Sequence, residues 1–321
     1  MERLKPLWLS LHAHHQVVSP ELAPFVSDNQ SWRDRQRQYA EIMSGEWFGF
    51  IARHGTADIG YLLCAKHPMV WNATFAISPT LWELITLFVK SEWRGKGLGS
   101  AMLDAMDQHM AREDVQTKLV GVIPGNCRAI ELYEGRGFAR TWLTLTRFQR
   151  PHPVAPPRAT VTIETIGESG VDQLEPLWLS LHHHHQAVSP HLKPFVNDAQ
   201  SWPIIRELFL KSVKNALLFV AKRNGAPVGL ASAAIYDLAD IPQYSDTWLT
   251  GSQVAETKFL VVAKDMRGQG IGSSLMDAVE EELSRRNAQD HLIGAIEPNR
   301  DAIQFYKSRG FRPAWLELVK R

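Results

Sequence analysis

Cysteine is nearly absent: the chain has two, Cys64 and Cys127, in 321 residues. Neither recurs in the other half of the chain and neither sits in a CxxC spacing or a nucleophile-like context, so buried or incidental thiols are expected. Long apolar runs are lacking too. No stretch approaches the ~20 apolar residues of a membrane span, and the start, MERLKPLWLSLHAHH, meets charge and histidine before any run long enough for a signal peptide. A cytoplasmic protein without membrane contacts is expected. An excess of one charge is also missing, with 35 basic against 34 acidic residues. Phosphate-backbone binding needs clustered positive charge, so nucleic acid is not an expected partner. The chain is 45% hydrophobic and 21% charged. At this length it can build two cores of about 150 residues each.

Two similar halves are visible. PLWLSLHAHHQVVSPELAPFVSDNQSW, Pro6 to Trp32, returns as PLWLSLHHHHQAVSPHLKPFVNDAQSW, Pro176 to Trp202, with 21 of 27 positions identical. VKSEWRGKGLGSAMLDAM is answered by VAKDMRGQGIGSSLMDAV, and NCRAIELYEGRGF by NRDAIQFYKSRGF. A unit this long is a duplicated domain, not a solenoid repeat. Between the copies lies RPHPVAPPRA, Arg150 to Ala159, whose prolines favour an extended, semi-rigid link. The expected units are residues 1–150, a linker at 151–159, and 160–321. The second copy opens with an alternating strand, TVTIETI from Thr160 to Ile166, where the first has only Met1 to Lys5. The first sheet should therefore lack one strand. Its open edge would be covered by the linker, the other copy or a second chain, as in a homodimer.

In copy 1 a β-prone run from Leu84 to Val89 leads into Arg94-Gly95-Lys96-Gly97-Leu98-Gly99-Ser100, then a segment with Leu98, Met102, Met106 and Met110 at four-residue spacing. Copy 2 repeats the pattern with Arg267-Gly268-Gln269-Gly270-Ile271-Gly272-Ser273, followed by Leu275, Val279 and Leu283. This reads as strand, glycine loop, helix. Alternate glycines permit positive φ and close approach, so successive amides can point at one phosphate group. The loops lack the Gly-Lys-Ser/Thr ending of a P-loop and the context of a dinucleotide fingerprint. Some thirty residues on, N-x2-A-x3-Y-x3-G-F follows, as Asn126, Ala129, Tyr133, Gly137, Phe138 and as Asn299, Ala302, Tyr306, Gly310, Phe311.

Together, these linked motifs resemble the GNAT superfamily of acyl-CoA-dependent N-acyltransferases. The resemblance implies an α/β chain of two GNAT folds in tandem. Each would be a mixed, mostly antiparallel sheet flanked by helices and splayed between its fourth and fifth strands around acyl-CoA, with acetyl-CoA the expected co-substrate. It assigns to the cofactor Leu87, Phe88, Val89, Arg94, Gly95, Lys96, Gly97, Gly99, Ser100 and Asn126, and in copy 2 Leu260, Val261, Val262, Arg267, Gly268, Gln269, Gly270, Gly272, Ser273 and Asn299. One departure is that the proline often found after the strand valine is absent, so the bend there must be made otherwise.

An aliphatic amine with pKa near ~10 must lose a proton before attacking a thioester. Glu83 and Glu256, each eleven residues before the loop arginine, are the candidate bases. With strand period 2 they should share a face with Leu87/Val89 and Leu260/Val262; the alternative is an ordinary strand-end glutamate. The resemblance assigns an oxyanion donor to a backbone N–H near Val89 or Val262, and to Tyr133 and Tyr306 the protonation of the leaving thiolate. Both tyrosines also suit a core aromatic. Asn126 and Asn299 suit either pantetheine binding or a helix cap. His12 and His15, with partners at His182 and His185, share a helix face, while His14 projects away. With Trp32 and Trp202 they are candidates for acceptor binding or for packing between the copies. Adjacent histidines point apart and no carboxylate or cysteine accompanies them, so no metal is expected. The expected activity is transfer of an acetyl group to a small-molecule amine by a pseudo-dimer within one chain. Copy 2, with its complete fold, is the better candidate for turnover. The alternative is one catalytic copy with the other a CoA-binding structural or regulatory module.

Overall fold

A computed structural model describes residues 1–67, 73–76, 81–113, 115–148, 161–238, 246–288 and 290–321; the linker expected at 151–159 lies outside them. Copy 1 runs α1 (Lys5–Val18), α2 (Asp28–Ile42), β1 (Trp47–His54), β2 (Ala57–Lys66), β3 (Leu81–Val89), α3 (Leu98–Arg112), β4 (Thr117–Val122), α4 (Cys127–Glu134) and β5 (Ala139–Arg147). Copy 2 opens with a short strand, β6 (Thr162–Thr165). It continues with α5 (Glu175–Val188), α6 (Asp198–Lys214), β7 (Leu218–Arg223), β8 (Ala226–Asp237), β9 (Gln253–Val262), α7 (Ile271–Arg285), β10 (Asp290–Ile296), α8 (Arg300–Ser308) and β11 (Arg312–Lys320). The first helix of each copy has proline in its first turn, where the missing N–H is not needed. The second is capped by a side chain, Ser27 to the Gln30 amide and Asn197 to the Gln200 amide.

Among the described residues, eleven strands form one sheet in the order β1-β2-β3-β4-β11-β5-β10-β9-β8-β7-β6. The last strands are exchanged: β11 of copy 2 lies between β4 and β5 of copy 1, and β5 pairs with β10 of copy 2. Two cross-copy contacts show why the exchange fits. The Trp315 indole lies over Gly121, where a Cβ would come within 2.2 Å of it, and Trp142 lies over Gly294, where the distance would be 2.3 Å. Only glycine leaves room for these rings. One core follows the exchange, joining Met106, Val120 and Tyr133 of copy 1 to Met276, Ile293 and Tyr306 of copy 2. At the outer end of copy 1's side, β1 pairs only with β2 among the described residues; Arg3 on the opening turn reaches Asp58 of β2 at 2.7 Å.

Strands β3 and β4 run parallel and pair only over Leu81–Leu84 with Thr117–Val120; beyond Leu84 they diverge. The same happens in copy 2, where β9 pairs with β10 only over Val254–Thr257. A bulge sits at the point of divergence, because Cys64 faces Leu84 while Leu63 faces Thr86, leaving Ile85 as an extra residue. In copy 2 the extra residue is Lys258. The bulge supplies the bend for which no proline is present. It also corrects the expected face: Trp82 and Leu84 pack in the same core as Leu87 and Val89, so Glu83 lies on the other side, the one shared by Ile85 and Phe88. Ala255 likewise packs with Leu260 and Val262, and Glu256 lies opposite. An inserted residue reverses the two-residue alternation, which strand periodicity alone cannot register.

Candidate active site

Each glycine loop enters its helix through a left-handed residue: Gly95 and Gly97 at φ 75° and 81°, Gly268 and Gly270 at 77° and 82°. Added Cβ atoms at Gly95, Gly97 and Gly268 would meet nothing within 4 Å, and Gly270 lines an open cleft, so the backbone lies open to a ligand. Gly97 and Gly270 cap α3 and α7 without a side-chain partner, leaving the first amides of each helix available to an anion. The loop arginines are held over the strand ends: Arg94 Nε donates to the Val89 carbonyl at 2.9 Å and Arg267 Nε to that of Val262 at 3.2 Å. In copy 2 a cleft of about 800 Å³ is lined by Leu260, Val261, Val262, Arg267, Gly268, Gln269, Gly270, Gly272, Ser273, Asn299 and Tyr306. These are ten residues expected at the cofactor and the expected thiolate acid. Asn126 and Asn299 are helix caps as well, accepting from the Ala129 and Ala302 amides.

The opposite side of the splayed strands holds a second cavity, of about 630 Å³, in copy 1. Ile85 of β3 and Leu119 of β4 line it where the strands part, together with Glu83, His15 and Arg35. Copy 2 closes it with Asp246, Thr247 and Trp248 and, from the exchanged β11, Trp315 and Glu317. Glu83 stands 3.6 Å from His67 Nε2. Burial pushes its carboxyl up, opposed by His67 and Arg35. Glu317 is pushed up to about 7 by burial and by the charge of Glu83. Arg35 and Asp246 form an ion pair across the copies at 2.5 Å, and the guanidinium lies 3.9 Å above the Trp8 ring. In copy 2, by contrast, Glu256 is ion-paired with Lys258, the bulged residue, at 2.6 Å.

Tyr133 and Tyr306 are both deeply buried, 5% and 6% exposed, and burial raises both phenols. Among the remaining candidates, His12 and His182 are fully buried and bonded to the Val26 and Val196 carbonyls; His182 also reaches Thr74 of copy 1 at 3.1 Å. Trp32 packs in the copy 1 core and Trp202 against Phe209 in copy 2. His15 lines the copy 1 cavity, and burial drives its imidazole and that of His185 down to about 3, so both are neutral at physiological pH. His14 and His184, which face away from these, sit beside the loop arginine and the capping asparagine, and His184 lines the copy 2 cleft. Sequence reasoning passed over Arg35, Asp246, Trp315 and Glu317. None lies in the glycine-loop or Asn–Tyr–Gly–Phe motifs: Arg35, Asp246 and Glu317 have different residues at the matching positions of the other copy, and Trp315, matched by Trp142, follows the last motif on the exchanged strand. Among the described residues no three histidine, cysteine, aspartate or glutamate side chains converge as metal ligands, and no helix is long and apolar enough to cross a membrane.

With two glycine loops at two splayed strand pairs, the chain belongs to the GNAT acetyltransferase family, whose pattern it matches over residues 12–138 and again over 178–311. It is similar to an uncharacterized N-acetyltransferase of Methanocaldococcus jannaschii, 32% identical over 108 residues, which make up 32% of this chain and 44% of that protein. It is also similar to the aminoalkylphosphonate N-acetyltransferase of Salmonella typhimurium, 31% identical over 101 residues, 32% of this chain and 60% of that one. The chain thus spans about half the length of these curated relatives. A GCN5-related N-acetyltransferase from Sphaerobacter thermophilus shares the fold at a TM-score of 0.50 and 14% identity, over 82% of this chain and 80% of that one.

Proposed function

We propose that the protein transfers an acetyl group from acetyl-CoA directly to the amine of a small molecule, that both glycine loops take the cofactor, and that turnover takes place in copy 1. One observation carries the choice of copy: a cavity at the parting of β3 and β4 brings Glu83 together with side chains from both halves. Glu256 is occupied by Lys258 instead. This reverses the preference for copy 2 that completeness of the fold suggested.

The amine, deprotonated through Glu83, attacks the thioester carbonyl. The carbonyl electron pair moves onto oxygen, where a backbone N–H of the diverging Ile85–Val89 segment donates to it. Collapse breaks the C–S bond, and the departing thiolate takes the proton of the Tyr133 phenol. Burial raises both groups in the useful direction, making Glu83 a stronger base than an exposed carboxylate and keeping Tyr133 protonated until the thiolate forms. Copy 2 binds CoA and completes the copy 1 site with β11.

The test is calorimetric titration with acetyl-CoA followed by thiol release with an amine panel. Two sites per chain and turnover abolished by Glu83→Gln but not Glu256→Gln are expected. No acetyl-CoA binding would overturn the reading, and loss of turnover only with Glu256→Gln would move the chemistry to copy 2.

A further inference from the structure

Resting on the transferase reading above, we propose that the copy 1 cavity selects amines carrying no anionic group, with the ammonium docked between Glu83 and Glu317 and the apolar body against Trp248 and Trp315. All four side chains line one space, two glutamates from opposite copies and two indoles from copy 2. The charges leave no place for a carboxylate or phosphate on the substrate. Apart from the neutral His15, the basic residues of the lining are already engaged, Arg35 with Asp246 at 2.5 Å, Lys66 with Glu46 at 2.7 Å and His67 beside Glu83 at 3.6 Å. An anion would face Glu83 and Glu317 without a partner, a desolvated like-charge contact that binding sites use to reject ligands.

Two further observations point to a ligand and not to a need of the fold. Gln38 Oε1 and His15 Nδ1 are buried on this cavity without a hydrogen-bond partner among the described residues. Gln38 Oε1 is an acceptor, and neutral His15 can be one, so both suit ligand N–H groups. The repeat also supplies an internal control. By the spacing of the two halves, Arg35 corresponds to Ile205, Asp246 to Ala73 and Glu317 to Thr144. Ala73 and Ile205 pack together in an apolar cluster where copy 1 has its ion pair. The same fold therefore closes over uncharged residues, and a buried ion pair brings no stability that well-packed apolar groups would not. The charges of copy 1 are there for what the cavity holds.

The test uses the full chain, acetyl-CoA and matched acceptors that differ by one carboxylate: tryptamine with tryptophan, phenethylamine with phenylalanine, cadaverine with lysine. Each carboxylate-free amine is expected to exceed its partner in kcat/KM by at least about 100-fold, the scale of an unpaired desolvated charge. Glu317→Gln should raise KM for the preferred amine about 10-fold while kcat moves little, as for lost ground-state binding. Glu317→Thr, which installs the residue of copy 2, should do the same, and is the second variant should Gln fail to fold. Acetyl-CoA titration of each variant reports folding independently. Preference for the amino acids, or an unchanged KM in a folded Glu317 variant, overturns this proposal and leaves the transferase reading standing. If acetyl-CoA binds and no acceptor of either series releases thiol, both fall together.

Discussion

At the scale of the residue, the proposed catalysis rests on shifted protonation. Tyr133→Phe should lower kcat about 100-fold, the lower range for a lost general acid, while leaving acetyl-CoA affinity intact. Tyr306→Phe should leave turnover nearly unchanged, because it lies in the copy proposed only to bind; steady-state kinetics with titration separates the two. Gly97→Val and Gly270→Val put a β-branched residue at φ 81° and 82°, in open space at Gly97 and on the copy 2 cleft at Gly270. Each should remove one of two acetyl-CoA sites in calorimetry while the circular dichroism spectrum is kept, and only Gly97→Val should stop turnover.

The pH profile follows from Glu317, held near about 7 by burial beside Glu83. Other ionisable groups on the same cavity are Glu83, His67, His15, Glu41, the Lys66–Glu46 pair and the Arg35–Asp246 pair. Below pH 7 the Glu317 carboxyl is neutral and does not attract an ammonium; above it the charge is present. kcat/KM for a cationic amine should therefore rise through pH 7, with that limb lost in Glu317→Gln. Stability should move the other way. The unfolded carboxyl ionises near ~4.3, so between there and 7 the folded state binds more protons and stability falls as pH rises. Urea denaturation should show Glu317→Gln gaining more over the wild type at pH 8 than at pH 5.

At the scale of the element, the exchanged strand β5 is fastened by charge as well as by its ladder. Arg147 of β5 meets Glu280 of α7 at 3.0 Å, and Arg309 meets Glu280 at 3.0 Å and Asp277 at 2.6 Å. Arg147 and Glu280 are 1% and 3% exposed at the side chain. The corresponding groups of copy 1, Arg136 with Asp104 at 2.6 Å, are more open to solvent. Removing the shared anion by Glu280→Ala leaves two guanidiniums buried with reduced compensation. The expected cost is about 3–5 kcal/mol in chemical denaturation, against less than about 1 kcal/mol for Asp104→Ala at the exposed pair.

At the scale of the whole molecule, the exchange makes one folding unit of two sequence repeats. Calorimetric unfolding should show a single transition, because the main core takes residues from both halves. Chain 1–150 or 160–321 expressed alone should fail to give a stable monomer, since each would present β4 or β10 without the strand that covers it. Co-expressed, the two pieces should elute as a 1:1 complex with transferase activity, read by light scattering and thiol release. Two independently folded, active halves would contradict this.

Much was determined locally, and so was readable in the residues. The repeat, the strand, loop and helix of each CoA cleft, the buried stripe Met102, Met106, Met110, and the capping asparagines all depend on contacts within some forty positions of one another. The GNAT fold and its cofactor loop followed from them. The rest depended on tertiary structure. An extra residue at Ile85 turned Glu83 to the face opposite Leu87, a matter of register against β2 that no periodicity within β3 contains. Strand exchange carried Trp315 and Glu317 from the far end of the chain into a cavity of copy 1, and the crossing of Asp246 onto Arg35 made that cavity unlike its counterpart. Sequence similarity between the copies describes what they share. The proposed acceptor site joins shared residues, Glu83, His15 and Trp315, to unshared ones, Arg35, Asp246 and Glu317, brought together only when each half completes the other's sheet.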